Sequence, residues 1–418
     1  MKREIDVSLS DMVISLSKAV DGIDPALNFH HARVAYLAHS IAAELNMGRE
    51  EQNNVLLSGL LHDIGAISLK ERLNLFHFES ENSSRHANTG YRLLKGFNLF
   101  SKMAAIVRYH HARWDNTSGS AKGVVPLESY ILHLADRTII LIEGGKEILG
   151  QVKGICSQIE KESNKMFMPM IIEVFKRLSA MEYLWLDIVS PSIEKIILAQ
   201  SSKDLLKLNI KELIGIAKVF SRIIDFRSNF TATHTSGISA TAVTLARIIG
   251  LSEIECEMMK IAGYLHDLGK LAVPAEILEK PGKLTDGELN IVRSHTYHTF
   301  RILEPLKDLY EINSWASFHH ECLDGSGYPF HYKADELSLG ARIVAVADIF
   351  TAITEDRPYR RGMAKDAVLE VLKKMVENNK LDSKVVSTLI DNYEMIDSIR
   401  KTAQEEASKE YHEFRVTL

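Results

Sequence analysis

Along the stretch NIKELIGIAKVFSRII the apolar residues Ile210, Leu213, Ile214, Ala217, Phe220 and Ile224 recur at steps of three and four, which puts them on one face of a helix. Similar periodicity runs through most of the chain, and no convincing alternation of apolar and polar residues marks a half-buried strand. Proline, which breaks helices, is sparse, at 9 of 418 residues. The pattern predicts an all-α protein whose helices bury their apolar faces in bundles. A chain of 418 residues is too long for one typical core, so two cores of roughly 200 residues each are expected.

The polar positions carry a second order. His30 precedes His62-Asp63 by 32 residues, and His234 precedes His266-Asp267 by the same 32. His86 lies 24 residues before the pair His110-His111, and His295 lies 24 before His319-His320. An apolar run in each half then ends on an aspartate, Asp136 in LHLADR and Asp348 in VAVADI, and SGLLHDIGA matches AGYLHDLGK. Internal duplication accounts for these coincidences. It predicts an N-terminal domain over residues 1–195, a helical junction over 196–207 and a C-terminal domain over 208–418. The junction is apolar enough to be a packed connection rather than a loose linker.

The repeated positions have the chemistry of metal ligands. His234, His266, Asp267, His295, His319, His320 and Asp348 supply five imidazoles and two carboxylates, donors suited to borderline first-row ions. Seven donors exceed what one ion takes from a protein, so two ions are expected, with a carboxylate bridging them. His30, His62, Asp63, His86, His110, His111 and Asp136 form a candidate metal site in the first half. One isolated histidine is more often a satisfied core residue; the joint spacing is what argues for ligation. His319 and His320, about 100° apart on a helix, would each face a different ion. DGSGYP then ends that helix through Gly325, Gly327 and Pro329, presenting Tyr328 on a loop at the mouth of the site.

Charge and cysteine content narrow the partners. A net charge of −5 argues against a nucleic-acid polymer, and the one compact basic cluster with aromatic interleaving is DRPYRRG at 356–362. The apolar runs fall short of the roughly 18 to 20 residues that cross a bilayer, and MKREIDVSLS has no apolar signal core. Three widely spaced cysteines suit reduced thiols. A cytoplasmic protein without membrane attachment is expected, and a homodimer or a signalling-protein partner stays open.

Taken in order, HDLGK, the HHE…DG.GYP run, VAD and RPYR resemble the HD-GYP subgroup of the HD metal-dependent phosphohydrolases. The resemblance covers residues 208–395 and includes VPAEILEKPGKLTDGE; a weaker one to an HD domain covers about 8–180. It implies two tandem HD-type helical bundles. It also implies a bacterial phosphodiesterase that opens a cyclic dinucleotide, most often cyclic di-GMP, to linear pGpG and in some members to GMP, by attack of a metal-bridging hydroxide. The seven C-terminal ligands match the family's metal set, with Fe or Mn favoured over Ni or Zn. Asp267 and Lys270 match catalytic positions, and Lys270, Tyr328, Arg357 and Arg360 match substrate contacts. Phe230 stands where trimetal members carry a glutamate, which favours two ions, and Phe350-Thr351-Ala352 replaces the common FDA. The first half reads HDIGA, with Ala66 in the lysine position, and lacks GYP and RPYR, which implies metal without hydrolysis and a modulatory role. Two other readings remain: an HD phosphohydrolase of mixed cyclic GMP-AMP or of other nucleotides, and a non-catalytic metal-dependent receptor or scaffold.

Overall fold

The structure, a computed structural model, describes residues 7–21, 29–66, 78, 83–115, 124–200, 207–227, 233–280, 282–356 and 361–416. Among these residues the chain is helix and turn with no β-strand, as the periodicity predicts. It divides into two compact units, Ser8–Leu206 and Lys207–Leu418, and the segment ending at Val7 belongs to the second. There the Leu208 N–H donates to the Val7 carbonyl at 2.9 Å. Of the expected junction at 196–207, the part to Gln200 ends the helix Ile193–Gln200 of the first unit, Lys207 belongs to the second, and 201–206 lie outside the described residues. No described helix is long and apolar enough to cross a membrane.

The element order is written twice. The first unit runs through helices Leu9–Asp21, His30–Glu44, Arg49–Leu61, Ser83–Lys95, Ser101–Arg108 and Leu127–Ile140. Ile210–Arg227, His234–Ile249, Glu253–Leu265, His295–Leu303, Tyr310–Ser317 and Leu339–Thr354 repeat that order in the second. In each unit the helix opening on the first ligand histidine is central. His234–Ile249 packs on Glu253–Leu265, Leu339–Thr354 and Tyr393–Val416, and His30–Glu44 packs on Arg49–Leu61, Leu127–Ile140 and Pro169–Ser179. Local chemistry sets the boundaries. Gly250, at φ 98°, takes the left-handed turn that ends His234–Ile249. Ser252 then starts the next helix with a capping box, its N–H donating to the Glu255 carboxylate at 2.7 Å.

Glycine lets the ligand-bearing segments approach. A Cβ at Gly263 would lie 2.7 Å from the Ser239 Cα, and one at Gly59 would lie 2.5 Å from the Ala35 Cα, so in both units the first two central helices cross nearly backbone to backbone. Two residues beyond the HD pair the fit is closer still. A Cβ at Gly269 would lie 1.9 Å from the His295 carbonyl oxygen, and one at Gly65 would lie 2.1 Å from that of His86. Thr299 fastens the same contact, accepting from the Gly269 N–H at 2.9 Å and donating to the His266 carbonyl at 3.0 Å. The glycine therefore holds the HD turn against the helix that carries the next histidine. Gly269→Ala is expected to destabilise the chain by about 1–3 kcal/mol, the usual range for overpacking, and to lower its bound metal. Denaturant unfolding with metal analysis checks this; unchanged values would contradict it.

Candidate metal centre

The last carbonyls of a helix have no intrahelical donor, and the second unit uses three such ends. His266 follows helix Glu253–Leu265, His295 follows helix Asp286–Arg293 after one intervening residue, and His319 lies just past Tyr310–Ser317. Their Nδ1–H groups donate to the carbonyls of Gly263 at 2.8 Å, Val292 at 2.6 Å and Ala316 at 2.7 Å. A carbonyl only accepts, so Nδ1 keeps the proton and Nε2 is left as a lone pair. The expectation that His319 and His320 sit on a helix is corrected here. The helix ends at Ser317 and both occupy the turn after it. The returning loop takes the space beyond: a Cβ on Gly327 would lie 2.3 Å from the Cys322 nitrogen, and the Tyr328 N–H donates to the His320 carbonyl at 3.2 Å.

The fold brings all seven predicted C-terminal ligands together. Asp267 stands between two groups of imidazoles, with Oδ2 3.2 Å from His266 Nε2 and Oδ1 3.3 Å from His295 Nε2. His234 Nε2 lies 3.3 Å from Asp348 Oδ1, His320 Nδ1 lies 3.7 Å from Asp348 Oδ2, and His295 Nε2 and His319 Nε2 are 3.4 Å apart. Three overlapping donor sets, His234/His266/Asp348, His266/Asp267/His319 and His295/His319/His320, each have their ligand atoms within 4.8 Å of one another. Nearly all of this is buried, and His266 Nε2 has no hydrogen-bond partner among the described residues. Lone pairs and carboxylates converging out of water need a cation, so the donors fit divalent transition-metal ions.

Electrostatics agrees. Burial would push the Asp267 carboxyl up, but the Lys270 ammonium beside it helps hold it well below the usual carboxylate range. Burial pushes His295 down to about 3, and burial together with His320 and His266 keeps His319 well below the ordinary imidazole range. Both are therefore neutral ligands at pH 7. Lys270 Nζ lies 2.6 Å from Asp267 Oδ2. Tyr328 is half-buried, its ring 5.0 Å from that of His320. Arg357, Arg360 and Phe230 lie outside the described residues.

Three residues that the sequence reading passed over also belong to this region. Glu355 Oε2 accepts from His234 Nδ1 at 3.0 Å and from Gln404 Nε2 at 3.1 Å, orienting the imidazole from behind. It is the C-cap of helix Leu339–Thr354, seven residues after Asp348, and nothing in the local sequence sets it apart from any acid at a helix end. Asp225 is buried, accepts from the Thr235 hydroxyl at 3.1 Å and is pushed by burial up to about 8. Both halves place an aspartate nine residues before the first histidine, Asp21 and Asp225, so the duplication pointed to it. The exposed Arg293 sets its guanidinium 4.6 Å from the centre of the Tyr328 ring.

The first unit assembles its own seven ligands. His62 and His110 donate Nδ1–H to the carbonyls of Gly59 at 2.8 Å and Val107 at 2.7 Å. Asp63 Oδ1 lies 3.1 Å from His86 Nε2 and 3.6 Å from His110 Nε2, while Asp136 Oδ1 lies 3.4 Å from His30 Nε2 and 3.6 Å from His62 Nε2. His111 Nε2 is 3.1 Å from His86 Nε2. Two differences separate this cluster from its counterpart. Ala66 replaces the lysine, and the buried Arg137, where the second half has Ile349, sets Nη2 2.6 Å from Asp136 Oδ2.

Residues 29–140 and 218–385 match two family models, each described as an HD domain. The chain is 29% identical over 399 residues to the 3′3′-cGAMP-specific phosphodiesterase 1 of Vibrio cholerae, covering 93% of each. It is 25% identical to the 3′3′-cGAMP-specific phosphodiesterase 3 of that organism, over 87% of this chain and 90% of the other. A cyclic di-GMP phosphodiesterase of Pseudomonas aeruginosa is 40% identical, over 36% of each chain. The crystal structure of the V. cholerae cyclic GMP-AMP-specific phosphodiesterase V-cGAP3 shares the fold, with a TM-score of 0.64 at 23% identity over 93% of this chain and 98% of that one. Two matched domains, each holding a histidine–aspartate cluster at the same helix ends, place this chain in the HD-domain phosphohydrolases, as two HD domains in tandem.

Proposed function

We propose that the second HD domain hydrolyses a 3′3′-linked cyclic dinucleotide, with mixed cyclic GMP-AMP as the preferred substrate ahead of cyclic di-GMP. The observation that carries the reading is Asp267, set between two groups of imidazoles with Lys270 against the same carboxylate. The relatives that run the length of both domains are named for cyclic GMP-AMP, whereas the P. aeruginosa cyclic di-GMP enzyme aligns over 151 residues. That difference moves the preference away from cyclic di-GMP, the substrate the HD-GYP resemblance puts first.

His234, His266 and Asp348 would hold one divalent ion, His295, His319 and His320 a second, with Asp267 shared between them. When bound, such ions supply Lewis acidity toward a phosphodiester and a nucleophilic water at neutral pH. The protein's own groups do the rest. Lys270 balances Asp267 in the ligand-free chain and, once cations satisfy that carboxylate, turns its ammonium to the charge developing on the phosphate. Tyr328, backed by Arg293, offers a ring face to a base at the rim. Arg357 and Arg360 are proposed as further phosphate or base contacts.

Anaerobic purification, loading with manganese or iron and incubation with cyclic GMP-AMP, cyclic di-GMP and cyclic di-AMP test the reading by product chromatography. Cyclic GMP-AMP is expected to lead in kcat/KM by on the order of 10-fold, equivalent to about 1.4 kcal/mol; turnover of none of the three would overturn the proposal. His266→Ala or Asp267→Ala is expected to abolish turnover together with metal binding in that domain, and retained turnover with undiminished metal would contradict the assignment. Lys270→Ala should keep the ions and lose about 10²-fold in kcat; a fall in metal content would show that its role is different. Glu355→Ala, which leaves His234 Nδ1 without its acceptor, should weaken metal affinity on the order of 10- to 100-fold in a metal titration, and unchanged affinity would remove Glu355 from the site.

A further inference from the structure

The acceptor behind His234 is itself held, and what holds it comes from the C-terminal helix. Glu355 Oε2 takes the His234 Nδ1 proton at 3.0 Å and a Gln404 Nε2 proton at 3.1 Å. Gln404 lies on Tyr393–Val416, which packs against the helix that His234 opens. Gly237, three residues after His234, leaves room for the amide: a Cβ there would lie 3.0 Å from both Gln404 Cγ and Nε2. On its other side Gln404 Oε1 accepts from Arg400 Nη1. A guanidinium only donates and an ionised carboxylate only accepts, so the amide has one orientation, oxygen to Arg400 and nitrogen to Glu355. Arg400 is fixed in turn. It is buried, donates to Asp397 Oδ1 through Nε at 3.0 Å and Nη2 at 2.6 Å, and lies 5.9 Å from the centre of the Phe350 ring. Asp397, Arg400 and Gln404 stand at steps of three and four, on one face of their helix.

The first domain supplies the contrast. Glu143 stands seven residues after Asp136, as Glu355 does after Asp348. Its helix Leu127–Ile140 stops four residues past the aspartate, whereas Leu339–Thr354 runs six residues past its own. Glu143 is exposed and pairs with Lys146. An acid at this spacing thus meets a ligand histidine in the domain where Gln404 reaches it, and solvent in the other. Because Gln404 is neutral, it orients Glu355 without cancelling the charge, as a lysine or arginine would. The carboxylate keeps its pull on the Nδ1 proton, and with it the basicity of Nε2.

We infer that Gln404 is a positioning residue of the second metal centre, and that the C-terminal helix acts on the ion at His234 through the line Arg400, Gln404, Glu355. This rests on metal binding by the second HD domain and not on the choice of substrate.

Manganese titration of the full-length chain tests it, the ions that His266→Ala removes being those of the second domain. Gln404→Leu, which keeps most of the bulk, and Gln404→Ala are each expected to weaken these ions about 3- to 10-fold, less than the loss of Glu355 itself because Gln404 acts one bond further out. Combined with Glu355→Ala, either should add nothing, since the carboxylate to be oriented is gone. In the metal-free chain with nitrogen-15 histidine, the His234 Nδ1 signal should move in Gln404→Leu. Glu410→Ala removes bonds to Lys218 and Arg222 on the same helix and should change neither affinity nor signal. Unchanged affinity in both Gln404 variants would overturn the inference, as would a loss that adds in full to that of Glu355→Ala, an equal loss in Glu410→Ala, or an unmoved His234 signal. A second domain that takes up no manganese would overturn this inference and the metal-dependent reading together.

Discussion

Each ligand cluster depends on a short hydrogen bond from an imidazole to a helix-end carbonyl. In the second domain Gly263, Val292 and Ala316 accept Nδ1 protons from His266, His295 and His319, and in the first Gly59 and Val107 do so for His62 and His110. One bond engages a helix-end carbonyl, fixes the tautomer and aims a lone pair inward. The negative ends of the helix dipoles face the same interior. Buried acceptors gathered this way repel one another unless positive charge joins them, so the fold and the metal chemistry are one constraint. The glycines beside each HD pair follow from it, because any side chain there would push the HD turn off the next histidine's backbone.

Much of this could be read from the sequence because both structure and ligation are periodic. Three- and four-residue apolar steps fix helices, and equal histidine spacings in two halves pick out ligands that a single copy would not distinguish from core histidines. All fourteen predicted metal-binding residues are brought into the two clusters, each in its own unit. What stayed hidden depends on where helices stop and on what stands behind a ligand. The turn at Phe318–His320 needs the returning Gly327 strand of backbone, a contact no local pattern encodes. Glu355 works through His234, 121 residues away in sequence, and resembles any acid at a helix end. Arg137 reads as an ordinary last-turn cation until its burial on Asp136 is seen.

Duplication kept the scaffold while a few substitutions redirected its chemistry. Ala66 opposite Lys270 removes the ammonium that would meet a phosphate, and Arg137 opposite Ile349 adds a guanidinium that occupies a carboxylate. The charge has moved from the HD aspartate to the distal one. In the second domain Asp267 reaches two groups of histidines. In the first, the ligands draw together around His86. One helical framework thus carries two clusters that differ in side chains rather than in the order of helices.

The central claim is that helix-end carbonyls hold the Nδ1 protons and leave Nε2 to bind metal. Nitrogen-15 spectroscopy of the full-length chain with labelled histidine, titrated with diamagnetic zinc, tests it most directly. The account predicts that His266, His295, His319, His62 and His110 are Nδ1–H tautomers, whose Nε2 resonances move on zinc addition while Nδ1 stays protonated. Nε2–H tautomers at these positions, or Nε2 signals indifferent to zinc, would contradict it.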